Sequence, residues 1–177
     1  MAFFTEGNGR AKLLILYILE KFRTPVTREQ LYTAMAAVDS TGFFEMSEMT
    51  AELEQEQYLL AVPVRQQQLL FITEKGSELC AAFEREIARS VRDEVIGYAD
   101  EHRDEVRRSN CIVADARPLA DGTWMLTLSM LEKDSVLFEI DLRLPDAHMA
   151  RLAQRHWMSE ADSIYLDLLS RLTAEEE

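Results

Sequence analysis

Residues Met46–Gly76, MSEMTAELEQEQYLLAVPVRQQQLLFITEKG, change their apolar period twice within one short run. Met46, Met49 and Leu53 recur at helical spacing and predict a helix over roughly 44–57 with one buried face. Tyr58–Val64 and Leu69–Thr73 are rich in aromatic and branched side chains, as strands are. Arg65-Gln66-Gln67-Gln68 joins them as a polar hairpin tip. Pro63, which has no N–H to give to a ladder, marks an exposed edge. Thr73 then caps a new helix. A helix, a tight hairpin and a second helix in this order restrict the chain to folds that pack a short antiparallel ribbon beside helices.

The residues on either side extend the pattern. Ala11, Leu14, Ile15, Ile18, Leu19 and Phe22 predict a helix that Arg23-Thr24-Pro25 ends, since proline clashes with a helix interior. Thr27 and Gln30 form a capping-box pair opening a second helix with Leu31, Met35 and Val38 buried. Asp39-Ser40-Thr41-Gly42 is the turn that follows. After Thr73 the apolar positions run through Leu79, Phe83 and Ile87, then through Val91, Val95, Tyr98 or Ala99, and Val106. One long rod and two helices broken near Ser90 both fit that spacing. From Asn110 the period becomes two, and Cys111–Leu119, Thr123–Leu131 and Val136–Leu144 read as an antiparallel meander turned by Asp121-Gly122 and Glu132–Ser135. Pro145-Asp146 starts a last helix whose stripe is Ala150, Ala153, Trp157, Ala161, Ile164, Leu168 and Leu172.

The fold class expected is therefore α+β: an N-terminal winged helix-turn-helix over 1–89, then a second domain over 90–177. The second comprises a helical connector and a three-stranded antiparallel sheet packed on the long C-terminal helix. The stripes of 91–106 and 150–172 are both expected to cover the meander.

Composition limits what such a protein does. Among 177 residues the net charge is −13. Residues 1–89 carry 9 Lys/Arg and 13 Asp/Glu, a balance of −4, and residues 90–177 carry 10 and 19, a balance of −9. That disfavours non-specific attraction to phosphate or to an anionic membrane, both of which need clustered cations. The half with the hairpin is the more neutral one. Cys80 and Cys111 have neither disulfide-framework nor metal-ligand spacing and read as small core residues. His102, His148 and His156 form no ligand cluster, so no metal and no cofactor are expected. There is no basic leader followed by a long apolar run, and the longest apolar runs are too short for a bilayer. The expected location is cytoplasmic, and MAFFTEGNG and TAEEE are expected to fray.

The order of helix, helix, helix, strand, strand, helix in the first half looks like a winged helix, and Phe71–Gly76 (FITEKG) resembles the exit from the wing in bacterial regulators of that class. The whole chain resembles a bacterial family catalogued as domain of unknown function four-three-six-four. The likeness rests on KLLILYIL (Lys12–Leu19), ITEKG (Ile72–Gly76), DLRL (Asp141–Leu144) and RHWMSEADSIY (Arg155–Tyr165). It implies a winged-helix half of regulator-like character and supplies no established biochemical activity to carry over.

A winged helix that reads DNA sets its third helix in the major groove. The outward residues there are Ser47, Glu48, Ala51, Glu52 and Gln55. Gln pairs with adenine and Glu accepts from cytosine N4, but carboxylates are repelled by phosphates. Arg65, Gln66 and Gln67 at the hairpin tip are expected on backbone or minor groove, and Arg28 on a phosphate. Arg10, Lys12 and Lys75 complete a thin ring of cations. The leading expectation is a transcriptional regulator that binds double-stranded DNA as a homodimer. The alternative is a winged-helix scaffold whose acidic third helix meets a basic protein partner without DNA. An enzyme is not expected: Ser109 has no triad partner and Gly7-Asn8-Gly9 lacks the Lys-Ser/Thr of a phosphate loop. Arg103, Arg107 and Arg108 alternate with Asp100 and Asp104 at helical spacing and read as paired surface charges. Trp157 and Tyr165 read as packing against the meander.

Overall fold

The computed structural model describes residues 8–64, 67–132 and 135–174. The hairpin-tip residues Arg65 and Gln66 lie outside them, as do most of the two termini expected to fray. The elements run α1 (Gly9–Phe22), β1 (Val26–Thr27), α2 (Arg28–Val38), α3 (Phe43–Gln55), β2 (Leu59–Val64), β3 (Gln67–Ile72) and α4 (Glu74–Phe83). A 3-10 turn at Glu84–Glu86 follows, then α5 (Arg89–Cys111), β4 (Ile112–Pro118), β5 (Trp124–Glu132), β6 (Ser135–Leu144) and α6 (Ala147–Leu172). The fold is α+β with two three-stranded antiparallel sheets, ordered β1-β3-β2 and β4-β5-β6.

The chain divides into two compact units, one ending at Asn110 and one beginning at Cys111. The expected boundary at 89/90 falls inside the first unit, between α4 and α5. The physical reason is the α5 stripe. Val95, Ala99 and Val106 are buried in the same apolar cluster as α1, with Val91 and Tyr98 packed against it. α5 is therefore part of the first core rather than a connector. The choice between one rod and two helices is also decided: α4 ends at Phe83, and α5 starts at Arg89.

α1 runs through the centre of the first unit, with every residue from Leu13 to Leu19 buried. Its end is tied three ways. Arg23 adopts a left-handed φ of 55° and donates its N–H to the Leu19 carbonyl. The Arg103 guanidinium on α5 donates to the carbonyls of Lys21 and Phe22 at 2.7 and 3.1 Å, satisfying acceptors left open at a helix C-terminus. The capping box at α2 forms as its sequence predicts: Thr27 Oγ1 accepts from the Gln30 N–H, and the Thr27 N–H donates to Gln30 Oε1. Asn110, buried at the far end of α5, donates from Nδ2 to that same Gln30 oxygen at 2.7 Å and to the Pro25 carbonyl at 2.9 Å.

β2 is an edge strand, and Pro63 sits on it opposite Gln68, in keeping with the edge position its missing N–H implies. β3 starts at Gln67, so Gln67 and Gln68 are strand residues opposite Val64 and Pro63 rather than part of the tip. In the second unit the turn before β5 uses Gly122 at φ 85°, a conformation that suits glycine. Asp146 Oδ1 accepts from the Met149 N–H and opens α6, which is interrupted at Glu160 by a non-helical φ of −129°. Trp157 is fully buried among Ile112, Leu126, Leu128 and Met130, and Phe138 lies against both Trp157 and Tyr165 with ring centroids 5.7 Å away in each case. The two aromatics of α6 are core packing, as read from the sequence.

Candidate macromolecular interface on the third helix

The α3 register matches the expected one. Met46, Met49 and Leu53 are buried, joined by Thr50, whose hydroxyl donates to the Met46 carbonyl at 2.7 Å. Glu48, Ala51 and Gln55 are exposed, while Ser47 and Glu52 are half-buried. The N-terminus of α3 is closed by Glu45, whose carboxylate accepts from the Gly42 N–H. An acid in that first turn suits the positive end of the helix dipole.

Two of the cations expected to meet phosphate, Lys12 and Arg28, are engaged by carboxylates of α3 itself. Lys12 Nζ lies 2.6 Å from Glu52, with its side chain only 13% exposed. Arg28 Nη2 lies 2.6 Å from Glu54. Lys75 Nζ donates to the Glu56 carbonyl at 2.7 Å and sits 4.2 Å over the Tyr58 ring. α3 is thus stapled by its own acids to α1 and to the start of α2, and by the Glu56 carbonyl at its end to the start of α4. The acidic residues that puzzle a reader of DNA have an internal task. Glu52, expected on the major-groove face, is turned toward Lys12.

Two residues that the periodicity did not single out dominate the free surface. Phe43 is 62% exposed and Phe44 is 86% exposed, at the N-terminal end of α3. Phe43 meets Tyr32 edge-on at 5.3 Å and Phe44 at 5.9 Å. The signal in the sequence was the pair itself, two adjacent aromatics directly after the Gly42 turn, where only one can face the core. Between α2 and α3 lies an open cleft of about 740 Å³ lined by Arg28, Tyr32, Phe43, Met46 and Ser47 among others. The Tyr32 hydroxyl is buried and has no hydrogen-bond partner among the described residues. Arg28 and Ser47 are therefore brought together at one cleft, with Glu48, Ala51 and Gln55 further along α3. Gln67 lines a different and more polar cleft of about 500 Å³, with Gln30, Thr33, His102 and Asn110. The two clefts share Glu29 and Thr33. Burial, and then the nearby Glu101 charge, raises the Tyr98 hydroxyl pKa beside that second cleft.

Among the described residues no group of three or more His, Cys, Asp or Glu is placed to hold a metal ion. No helix of the described residues is long and apolar enough to cross a membrane.

Residues 11–172 match the family described as domain of unknown function DUF4364, and the chain belongs to that family. No curated protein and no solved structure gives a significant match.

Proposed function

We propose that the first unit is a winged helix and that the protein is a DNA-binding regulator of transcription acting as a dimer. One observation carries the reading. The order α1-β1-α2-α3-β2-β3-α4, with β1 completing a β1-β3-β2 sheet, leaves the Glu48–Ala51–Gln55 row of α3 outward, as a helix entering a major groove must be. Phe43 and Phe44 extend that row at the helix end that meets base edges, where aromatic side chains suit thymine methyl groups. Arg28 serves a phosphate by exchanging its Glu54 partner for it. Such a partly exposed pair costs about 1 kcal/mol or less to open. Few phosphates are neutralised per protomer, so two heads are needed and affinity falls as salt rises.

The test is selection from a randomised duplex pool at low salt, followed by charge reversal of Arg28 and Arg65 together. An enriched palindrome whose binding is lost in the double variant supports the reading. No enrichment, or unchanged affinity in that variant, overturns it.

A second reading, a winged-helix scaffold for a protein partner, is favoured by the same ion pairs. With Lys12, Arg28 and Lys75 engaged, the free end of α3 presents aromatics and carboxylates, a surface suited to an apolar site rimmed by cations. Salt-sensitive binding of a protein, free of nucleic acid and lost when Phe43 and Phe44 become serine, selects it over the first.

A further inference from the structure

We propose that β6 and the last turns of α6 form a two-fold interface with a second copy of this chain, the two β6 edges pairing antiparallel into one six-stranded sheet. The proposal takes from the functional reading only the expectation of a dimer, and it places that dimer's contact. A three-stranded sheet under a single helix is only partly covered. α6 lies over β4 and β5, where Ile112, Leu126, Leu128 and Met130 are buried. The same face of β6 carries Phe138, Ile140, Leu142 and Leu144, and all four stay half-buried. β6 ends the sheet, so among the described residues no strand lies beside one side of its ten-residue backbone. Over its length it carries none of the lysines or prolines by which proteins usually blunt a free edge.

Beyond Glu160 the helix repeats the message. Ile164, Leu166, Leu169 and Leu172 are exposed, Leu172 to 74%. At 100° per residue they span both flanks of the helix as well as the stripe facing the sheet. A helix apolar on so much of its circumference is one that is buried on more than one side. Of the twelve large apolar side chains left exposed among the described residues, eight lie between Val136 and Leu172, which locates the uncovered surface in this unit.

The occupant is a second copy because the strand is its own complement, as a two-fold interface requires. Turned antiparallel about Asp141, β6 sets Glu139 opposite Arg143 of the partner subunit, and by symmetry this happens twice. On the inner face Phe138 meets Leu144 of the partner subunit, and Ile140 meets Leu142 of the partner subunit. Opposite charges and apolar pairs directly across a ladder are the stabilising arrangement. The two copies of Asp141 meet on the axis. That like-charge contact opposes the pairing. Each Asp141 has both Arg143 of the partner subunit and Glu139 of the partner subunit as diagonal neighbours, and within its own chain it accepts from the Thr127 hydroxyl at 2.6 Å. Arg143 also reaches Asp121 and Thr123 in the turn that leads into β5, so pairing with Glu139 of the partner subunit exchanges those contacts for it.

The experiment measures the mass and dissociation constant of the full-length chain by sedimentation equilibrium. The wild type is compared with Glu139→Arg, Arg143→Glu and the double charge swap. Thermal melts by circular dichroism check that each variant folds, which is expected since both positions are exposed. The wild type is expected to be a dimer. Each single variant opposes like charges twice and weakens the dimer ~10-fold or more, and the double swap restores it to within ~3-fold. A monomeric wild type overturns the proposal together with the dimeric part of the functional reading. A dimer equally stable in all four proteins, or a double swap no better than the singles, overturns this interface alone. A wild-type dimer that responds to the charge swap as expected but enriches no duplex sequence overturns the DNA reading and leaves this interface standing, so the two failures are separable.

Discussion

At the residue scale, Gly76 holds its place because of a collision. A Cβ there would lie 2.3 Å from the Tyr58 carbonyl oxygen and 2.8 Å from Ile72 Cγ1. The backbone of α4 packs that closely on the start of β2, so Gly76→Ala is expected to destabilise the fold by about 2 kcal/mol or more, read as a lower denaturant midpoint. The neighbouring residues of ITEKG act in the same joint. Thr73 accepts from the Gly76 N–H and donates to the Gln57 carbonyl, and Lys75 covers Tyr58. The run that looked like a family signature is a mechanical seam. Cys80 gives a second prediction. Burial, with Glu20 adding to it, pushes its thiol from 9.0 up to about 12. At pH 8 the folded protein keeps it as an unreactive thiol, and labelling by a maleimide is expected to occur only on unfolding. The unfolded chain ionises this group first, so the stability it contributes is whole below pH 9.0 and is lost as pH rises toward about 12. A denaturation series across that window checks the sign.

At the element scale, α3 shows what its spacing revealed and what it hid. The buried row Met46, Met49 and Leu53 was legible because a period of 3.6 depends only on the helix itself. The fate of Glu52 and Glu54 was not, because their partners Lys12 and Arg28 come from elements 40 and 26 positions away, and no local pattern encodes that pairing. The same holds for α5, whose amphipathic stripe fitted either core until contact with Phe22 and α1 assigned it to the first. Strand boundaries in the second unit were readable almost to the residue, since turns rich in Asp, Gly, Lys and Ser bracket them. The ion pairs also carry a measurable consequence. A double-mutant cycle on Lys12 and Glu52 is expected to give a coupling of about 1 kcal/mol or less, because the carboxylate is partly exposed to water. A coupling that small leaves Lys12 free to change partner, whereas a large one would fix α3 as a purely structural element.

At the scale of the whole molecule, two apolar clusters sit in two units, and the first closes only with α5. A fragment ending at Asn110 is expected to melt cooperatively by circular dichroism, and one ending at Arg89 to lose that transition. The shorter fragment lacks Val95, Ala99 and Val106 from that cluster, and Tyr98 against Phe22. The link between Asn110 and Gln30 has a bearing on timing as well. It spans 80 positions of sequence. A chain made from its N-terminus displays α1 to α4 long before the residue that locks them is available. Loop closure over such a distance is slow, and the exposed helices must wait for it. Synthesis itself thus becomes a folding variable: a pause before Asn110 has emerged from the ribosome prolongs an aggregation-prone half-core, and prompt emergence of that residue completes the unit.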